Sequence, residues 1–170
     1  EPDLRRHAQE MIDGFVERGE CEFDSEFAVP LPCRAFLTLM GLPQEELDLF
    51  IELKNGIIRP PVDPMDLIAA TEFRMKTGER IYTYFEKMIE DRRSKPCDDM
   101  MTYLTTVELD GQRLTDDEIL DISYLFLLGG LDTVTATLGC SMAYLASNPE
   151  QRRKLVAKPE LIPNAVEELL

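Results

Sequence analysis

The feature that most constrains this chain is a long segment without proline that begins with a helix start signal. Residues Thr115-Asp-Asp-Glu118 form a capping box, in which a Thr at the N-cap is followed three residues later by Glu. Because the next proline is Pro149, one helix is predicted from about 115 to 147. At about 1.5 Å per residue this central helix is roughly 50 Å long, enough to run through the middle of a domain.

The rest of the chain has helical punctuation as well, so we predict a mainly α fold with little β structure. Pro43 stands where proline begins a helix, and Pro60-Pro61 ends that helix. Asp110-Gly111 is a turn signal, and the alternation in Cys21-Glu-Phe-Asp24 favours a short strand. The other predicted helices cover about 3–18, 30–40, 65–94, 98–107, 149–158 and 163–170. The predicted inner face of 65–94 is formed by Ile68, Phe73, Met75, Ile81, Phe85, Met88 and Ile89.

Length and charge exclude several classes of protein. The 170 residues suit one domain, and 18 basic against 33 acidic residues give a net charge of −15. Nucleic acid and anionic membrane surfaces both select basic faces, so we expect neither as a partner.

Asp121 and Asp132 interrupt the apolar stretch Ile119–Leu145, so we expect no transmembrane span. The polar opening Glu1-Pro-Asp3 leads us to expect no signal peptide and a cytoplasmic location.

The residues that commonly bind metals do not form a site in this sequence. The single histidine, His7, excludes a multi-His metal site and is expected to be solvated. No C-x-x-C pair is present, and the cysteine spacing fits neither a zinc site nor a disulfide framework. We therefore expect free thiols in a reducing compartment and no metal ligand in this chain. The cysteines are Cys21, Cys33, Cys97 and Cys140.

The centre of the long helix combines residues that destabilise a buried helix. Gly129 and Gly130 each cost about 1 kcal/mol relative to alanine. Asp132 places a carboxylate among apolar residues, and Thr133 and Thr135 can bond back to helix carbonyls. Such clustering indicates a site, in which missing side chains admit a flat or bulky group and a carboxylate beside a hydroxyl passes a proton. A tight helix crossing with a solvated Asp132 is the alternative.

The same residues carry a resemblance to a known family. Gly129-Gly-Leu-Asp-Thr133 resembles the (Ala/Gly)-Gly-x-(Asp/Glu)-Thr motif in the central helix of the cytochrome P450 haem-thiolate monooxygenases. Phe27–Pro32 and Met40–Pro43 are similar to the stretch before the F helix of that family. Asn148–Gln151 and Ala165–Leu170 are similar to its J and K helices. The resemblance covers essentially the whole chain, from about the D helix to the start of the K helix, and is to bacterial soluble members of the camphor-hydroxylase type.

The resemblance implies roles for the central motif. The long helix would cross the distal face of a haem b group. Gly129 and Gly130 would leave room there for dioxygen and substrate. Asp132 and Thr133 would deliver protons to dioxygen, so that its O–O bond breaks heterolytically. Val134 replaces a Thr or Ser of many members, which removes one hydroxyl but leaves the Asp-Thr pair.

Other positions acquire roles only through the resemblance. The residues implied to line the substrate pocket are Leu125, Leu128, Ile57 and Ile58. Arg59 occupies the place of an arginine that pairs with the acid, here Asp132, although a surface arginine is the alternative. The segment 59–66 belongs either to a lid over the substrate channel or to a plain linker. Glu168 matches the Glu of a structural Glu-x-x-Arg motif whose Arg would follow Leu170.

The resemblance also implies what this sequence lacks. None of the four cysteines lies in the haem-ligand context Phe-x-x-Gly-x-x-x-Cys-x-Gly. We therefore expect residues 1–170 to be an internal fragment of a single cytochrome P450 domain. In this interpretation the N-terminal helices and the C-terminal ligand region are absent, and the fragment alone is inactive.

The expected function of the parent protein is haem-dependent monooxygenation. One oxygen atom of O2 would enter a small apolar substrate, with electrons from NAD(P)H passing through a reductase and a ferredoxin or flavodoxin. Two alternatives stay open. One is a peroxygenase, which the intact Asp132-Thr133 pair disfavours. The other is a non-catalytic helical interaction module or dead remnant of the family.

Overall fold

The central helix is the longest element of the chain and begins where the capping box predicts. The structure is a computed structural model that describes residues 2–170. Helix α6 spans Asp116–Ser147. The Thr115 hydroxyl accepts the Glu118 N–H at 3.3 Å, and the Glu118 carboxylate accepts the Thr115 N–H at 2.8 Å. Both halves of the predicted box are therefore formed, and they satisfy backbone donors that the first helical turn leaves unpaired.

The remaining elements confirm a mainly α fold. A two-stranded hairpin pairs Glu108 with Arg113, and its turn residues Asp110 and Gly111 have φ values of 52° and 79°. Two positive φ values are what a tight two-residue hairpin turn requires. The helices are α1 Pro2–Val16, α2 Pro30–Met40, α3 Leu47–Ile58, α4 Leu67–Ser94, α5 Met100–Thr106, α7 Pro149–Ala157 and α8 Ile162–Leu169. Short helical turns cover Asp24–Ala28, Gln44–Glu46 and Pro159–Leu161, and the strands are β1 Glu108–Leu109 and β2 Gln112–Arg113.

One hydrophobic core joins α2, α3, α4 and the first half of α6. Phe50 of α3 lies at its centre, with ring contacts to Phe36 of α2 and to Phe85 and Tyr84 of α4. The largest fully buried aliphatic residues around these rings are Leu37, Met40, Leu53, Ile81, Ile89, Met101, Ile119, Leu127 and Leu131. Burial of this apolar surface fixes α6 against three other helices.

Three local predictions are wrong. The segment at Cys21–Asp24 forms no strand, because the chain turns into a π-helical turn, Asp24–Ala28, in which the Val29 N–H donates to the Asp24 carbonyl. His7 is 1% exposed rather than solvated, because α1 packs against α2 and the imidazole Nε2 lies 3.2 Å from the Thr38 hydroxyl. On α4 the predicted inner face is buried only from Ile81 onward, while Ile68 and Met75 are 75% and 63% exposed.

The turn after α2 depends on a glycine for two reasons. Gly41 has a φ of 72°, and its carbonyl accepts a hydrogen bond from Arg92 at 2.8 Å. Asp99, which caps α5 and binds the Arg92 Nε at 2.6 Å, occupies the space that a Cβ on Gly41 would need. Burial opposes ionisation of Asp99, but hydrogen bonds from Thr102 and Arg92 outweigh it and lower the pKa of that carboxyl.

We expect Gly41→Ala to destabilise the full-length protein more than Gly19→Ala does. Both glycines have left-handed φ values, so each substitution carries a conformational cost of about 1–2 kcal/mol. Only at Gly41 would the new methyl group also collide with Asp99, whereas the space around Gly19 is open. Thermal unfolding of the two variants tests this, and equal losses in Tm would contradict it.

Candidate active site

Asp132 lies halfway along α6 and faces α3. Its carboxylate is 20% exposed and lies 3.4 Å from the Lys54 ammonium of α3. The Arg59 guanidinium, just after the end of α3, lies 3.5 Å from the same carboxylate. The structure thus brings together the Arg59–Asp132 pair that the family resemblance implied, and their energetic coupling stays a prediction. The structure also places a second cation, the Lys54 ammonium, beside the Asp132 carboxylate.

Lys54 is the residue that sequence reasoning missed. Its side chain is 2% exposed, and its Nζ donates to the Asp132 Oδ1 from 78 residues away in the chain. A buried ammonium is costly unless a counter-charge is close, so Lys54 and Asp132 each account for the position of the other. Arg59 is 65% exposed, and an ion pair so open to water contributes little. The available signal was the position of Lys54, one turn after Phe50 on the buried face of α3.

The two threonines after Asp132 behave differently. Thr133 is exposed, and its hydroxyl donates back to the Gly129 carbonyl at 2.6 Å, as the sequence predicts. The same prediction is wrong for Thr135, which is 6% exposed and donates to the carbonyl of Ala28 at 3.0 Å. The difference follows from the helix faces, because Thr133 points away from the core and Thr135 points toward it.

The two glycines lie on an open surface of α6. A Cβ built on Gly129 or Gly130 would meet no atom within 4 Å, and both residues are exposed. The side chains that flank them are apolar, with Leu125 69% and Val134 45% exposed. The expectation that α6 runs buried through the middle of a domain therefore holds on one side only. The open side can accept a flat apolar group in direct contact with the backbone of the helix.

The other predicted site residues lie on α3, α6 and α8. Leu128 and Ile57 are half-buried and pack against the hydrophobic core. Ile58 is half-buried at the end of α3, close in sequence to Arg59. Glu168 lies on α8 and lines a groove between α6 and α8 together with Cys140 and Tyr144. The geometry therefore concentrates chemistry at Asp132 and Thr133.

The cysteines of residues 2–170 are all free thiols. Cys33 is fully buried, and desolvation raises its pKa to about 12, so that it stays protonated at neutral pH. Cys97 and Cys140 are exposed. In the part of the chain that the structure describes, no group of three or more His, Cys, Asp and Glu side chains is arranged to hold a metal ion.

Helix α6 is long and apolar enough to span a membrane by composition, with a mean hydropathy of 1.4 over its most apolar stretch. Both aspartates that interrupt its apolar sequence are used in contacts with other helices. Asp121 accepts a hydrogen bond from Tyr82 of α4 at 2.5 Å, and Asp132 pairs with Lys54 of α3. These contacts, and the burial of Leu127 and Leu131, are typical of the core helix of a globular domain.

Comparison with known proteins assigns the chain to a family. The family model for cytochrome P450 matches residues 50–158. The chain is 31% identical to a probable cytochrome P450 127A1 of Sinorhizobium fredii, over 100% of this chain and 39% of that protein. It is 33% identical to a steroid C26-monooxygenase of Mycolicibacterium smegmatis, over 98% of this chain and 41% of that protein. The chain belongs to the cytochrome P450 family and spans about two fifths of the length of these curated relatives.

Solved structures show the same relationship in three dimensions. The crystal structure of CYP101J2 superposes with a TM-score of 0.86 at 33% identity, covering 99% of this chain and 40% of that one. The cytochrome P450 PksS of the Bacillus subtilis bacillaene polyketide synthase gives a TM-score of 0.90 at 29% identity, covering 99% and 42%. The arrangement of helices around α6 is therefore the cytochrome P450 arrangement.

We expect Asp132→Asn to destabilise the full-length protein, because it leaves the Lys54 ammonium buried without a counter-charge. Losing one partner of a fully buried pair costs about 3–5 kcal/mol. Since Asp132 is one-fifth exposed, we expect about 2 kcal/mol here. Adding Lys54→Met should recover most of that loss. Denaturant unfolding of the single and double variants tests this, and a double variant no more stable than Asp132→Asn would contradict it.

Proposed function

We propose that the whole protein is a haem-dependent monooxygenase and that residues 2–170 supply its proton-delivery side. The observation that carries the proposal is the position of Asp132 and Thr133 beside an open apolar surface at which Gly129 and Gly130 expose the helix backbone. A buried lysine holds Asp132 in place. A bound haem would supply the activation of dioxygen for transfer of one oxygen atom to the substrate. The surface fits this flat group, because Gly129 and Gly130 present no side chain to it.

We assign different roles to the predicted site residues. Gly129 and Gly130 would lie against the haem and leave space for dioxygen. The apolar side chains proposed to contact a small apolar substrate are Leu125, Leu128, Ile57 and Ile58. One relative is a steroid C26-monooxygenase and another is a mycinamicin IV hydroxylase/epoxidase, so members of the family act on organic substrates of different kinds. Glu168 is proposed to have a structural role in α8.

Proton transfer would pass through Thr133 and Asp132. The Thr133 hydroxyl donates to the Gly129 carbonyl here. If its χ1 rotates, the same O–H could donate to a water on the open surface. Asp132 has enough exposure to exchange protons with water while Lys54 holds one of its oxygens. A held carboxylate beside a hydroxyl that can change its acceptor would supply protons at one point of the surface.

The remaining parts of the reaction lie outside residues 1–170 in this proposal. These residues form part of a single cytochrome P450 domain, and the thiolate that binds the haem iron comes from another segment of it. Electrons come from NAD(P)H through a reductase and a ferredoxin or flavodoxin. A cytoplasmic location completes the proposal, supported by the free thiols at the four cysteines.

The absorption spectrum of the reduced, carbon-monoxide-bound full-length protein tests the proposed function. A thiolate-type Soret band in the full-length protein, and none in the isolated 170-residue chain, is the expected result. A folded full-length protein without that band would contradict the proposal and favour a non-catalytic helical interaction module.

We expect Thr133→Ala in the full-length protein to retain haem but to divert reducing equivalents into peroxide. The variant loses the hydroxyl that would hold and pass the proton, so dioxygen that has taken up two electrons and two protons would leave as hydrogen peroxide before an oxygen atom reaches the substrate. The measurement is product and peroxide formed per NADH consumed. Thr133→Ser, which keeps the hydroxyl, is the matched control, and tight coupling in Thr133→Ala would refute the assigned role.

A double-mutant cycle measures how Arg59 and Asp132 act together. We expect Asp132→Asn to slow oxygen consumption by about 10²-fold while substrate binding survives. We expect Arg59→Gln to have a smaller effect that disappears in the Asp132→Asn background, because both changes act on one ion pair. Strictly additive effects would show that Arg59 and Asp132 are not coupled in turnover.

A further inference from the structure

Thr135 is a buried hydroxyl on α6 that the proposed reaction does not use. It lies two residues after Thr133 and is 6% exposed. Its hydroxyl donates to the Ala28 carbonyl at 3.0 Å, across 107 residues of sequence. Thr133 on the same helix bonds locally, to Gly129. Thr135 therefore forms a tertiary hydrogen bond in place of the local one that its backbone offers.

The Ala28 carbonyl needs this donor because helical hydrogen bonding is interrupted around it. Residues 24–28 form a π-helical turn, and α2 begins directly afterwards at Pro30. The residue four positions after Ala28 is Pro32, which has no N–H to donate in the normal helical pattern. Ala28 is fully buried, so solvent cannot take the place of the missing donor. The Thr135 hydroxyl fills that position.

The bond fixes the orientation of α6 at the proposed site. Residues two apart on a helix are separated by about 200°, so Thr135 and Thr133 lie on nearly opposite sides. Leu127, Leu131 and Thr135 recur at every fourth position and are all buried, whereas Thr133 is exposed. Leucines in a core can slide and rotate slightly, but a hydrogen bond is directional and sets both the rotation and the height of the helix.

We propose that Thr135 is a positioning residue for the Asp132-Thr133 pair. By tying α6 to the Ala28 carbonyl, it holds the segment 132–135 at one rotation and one axial position. Asp132 is tied separately by Lys54 of α3, so the segment is anchored to two elements. This inference rests on the proposed function, because it concerns how the proton-delivery groups are held.

Two substitutions of Thr135 in the haem-loaded full-length protein test the proposal. Thr135→Val keeps the shape and removes the donor, whereas Thr135→Ser keeps the donor. In Thr135→Val we expect a several-fold fall in product per NADH. We also expect a shifted or broadened C–O stretching band of the reduced carbon monoxide complex, because Thr133 no longer faces the bound ligand in one orientation. Thr135→Ser should restore both.

A control separates this effect from the loss of a buried hydroxyl in general. Thr105 on α5 is 8% exposed, and its hydroxyl donates to the Thr102 carbonyl of its own helix. Thr105→Val should lower the Tm without changing the coupling or the C–O band. If Thr135→Val leaves both readouts at the wild-type values, or alters them no more than Thr105→Val does, the proposal is overturned.

A second background distinguishes positioning from stability. Pro32→Ala restores an N–H that can satisfy the Ala28 carbonyl, so Pro32→Ala/Thr135→Val should regain Tm relative to Thr135→Val. Because α6 is still untied, the coupling should stay low in the double variant, and this variant carries the test if Thr135→Val alone does not fold. Recovery of coupling together with Tm would overturn the positioning role. Absence of the thiolate-type band in folded wild-type protein would instead overturn the proposed function itself.

Discussion

The burial of one stripe of α6 against α2, α3 and α4 is the constraint on which the rest of this structure depends. Ile119, Leu127 and Leu131 are almost fully enclosed, and they meet the aromatic cluster centred on Phe50. With that stripe fixed inward, helical geometry leaves Gly129 and Thr133 on the opposite side, and Gly130 is exposed at the flank of the stripe. The packing of the core thus determines which side of α6 is open. The Asp132 carboxylate and the Thr133 hydroxyl supply the reactive groups beside that open side.

Ion pairs at Asp132 add to the hydrophobic packing that holds α6 in place. The chain carries a net charge of −15, yet the carboxylate at the centre of its longest helix is met by two of its cations. Lys54 is drawn into the interior because Asp132 is there, and Asp132 tolerates an apolar helix because Lys54 is there. Neither residue would be stable alone in that position. This mutual dependence holds α3 and α6 in one register at the point where the proposed chemistry takes place.

Much of the fold follows from local sequence signals, and the failures have identifiable physical causes. The capping box at Thr115 and the Asp-Gly hairpin turn placed the start of α6 and the turn before it, because each is decided by a few adjacent residues. The π-helical turn at Asp24–Ala28 and the burial of His7 depend on which helices pack together, and no local pattern carries that information.

The site shows the same division between local and tertiary information. Asp132 and Thr133 can be proposed from the sequence because the motif is contiguous, and Arg59 can be proposed through the family resemblance. Lys54 was missed because its partner lies 78 residues away, and a lysine on a helix is ordinarily solvated. The tertiary bond of Thr135 was missed for the same reason, since its acceptor is a backbone carbonyl that no side chain marks.

The contrast in exposure between Lys54 and Arg59 has a consequence for how the protein responds to ionic strength. At 0.15 M salt the Debye length is about 8 Å, and counter-ions reach a guanidinium that is 65% exposed while they are kept from an ammonium that is 2% exposed. Added salt therefore weakens the ion pair between Asp132 and Arg59 at the end of α3. The buried ion pair between Asp132 and Lys54 is left almost unchanged. The segment after α3 can therefore become more mobile as the ionic strength rises, while Lys54 continues to neutralise the Asp132 carboxylate.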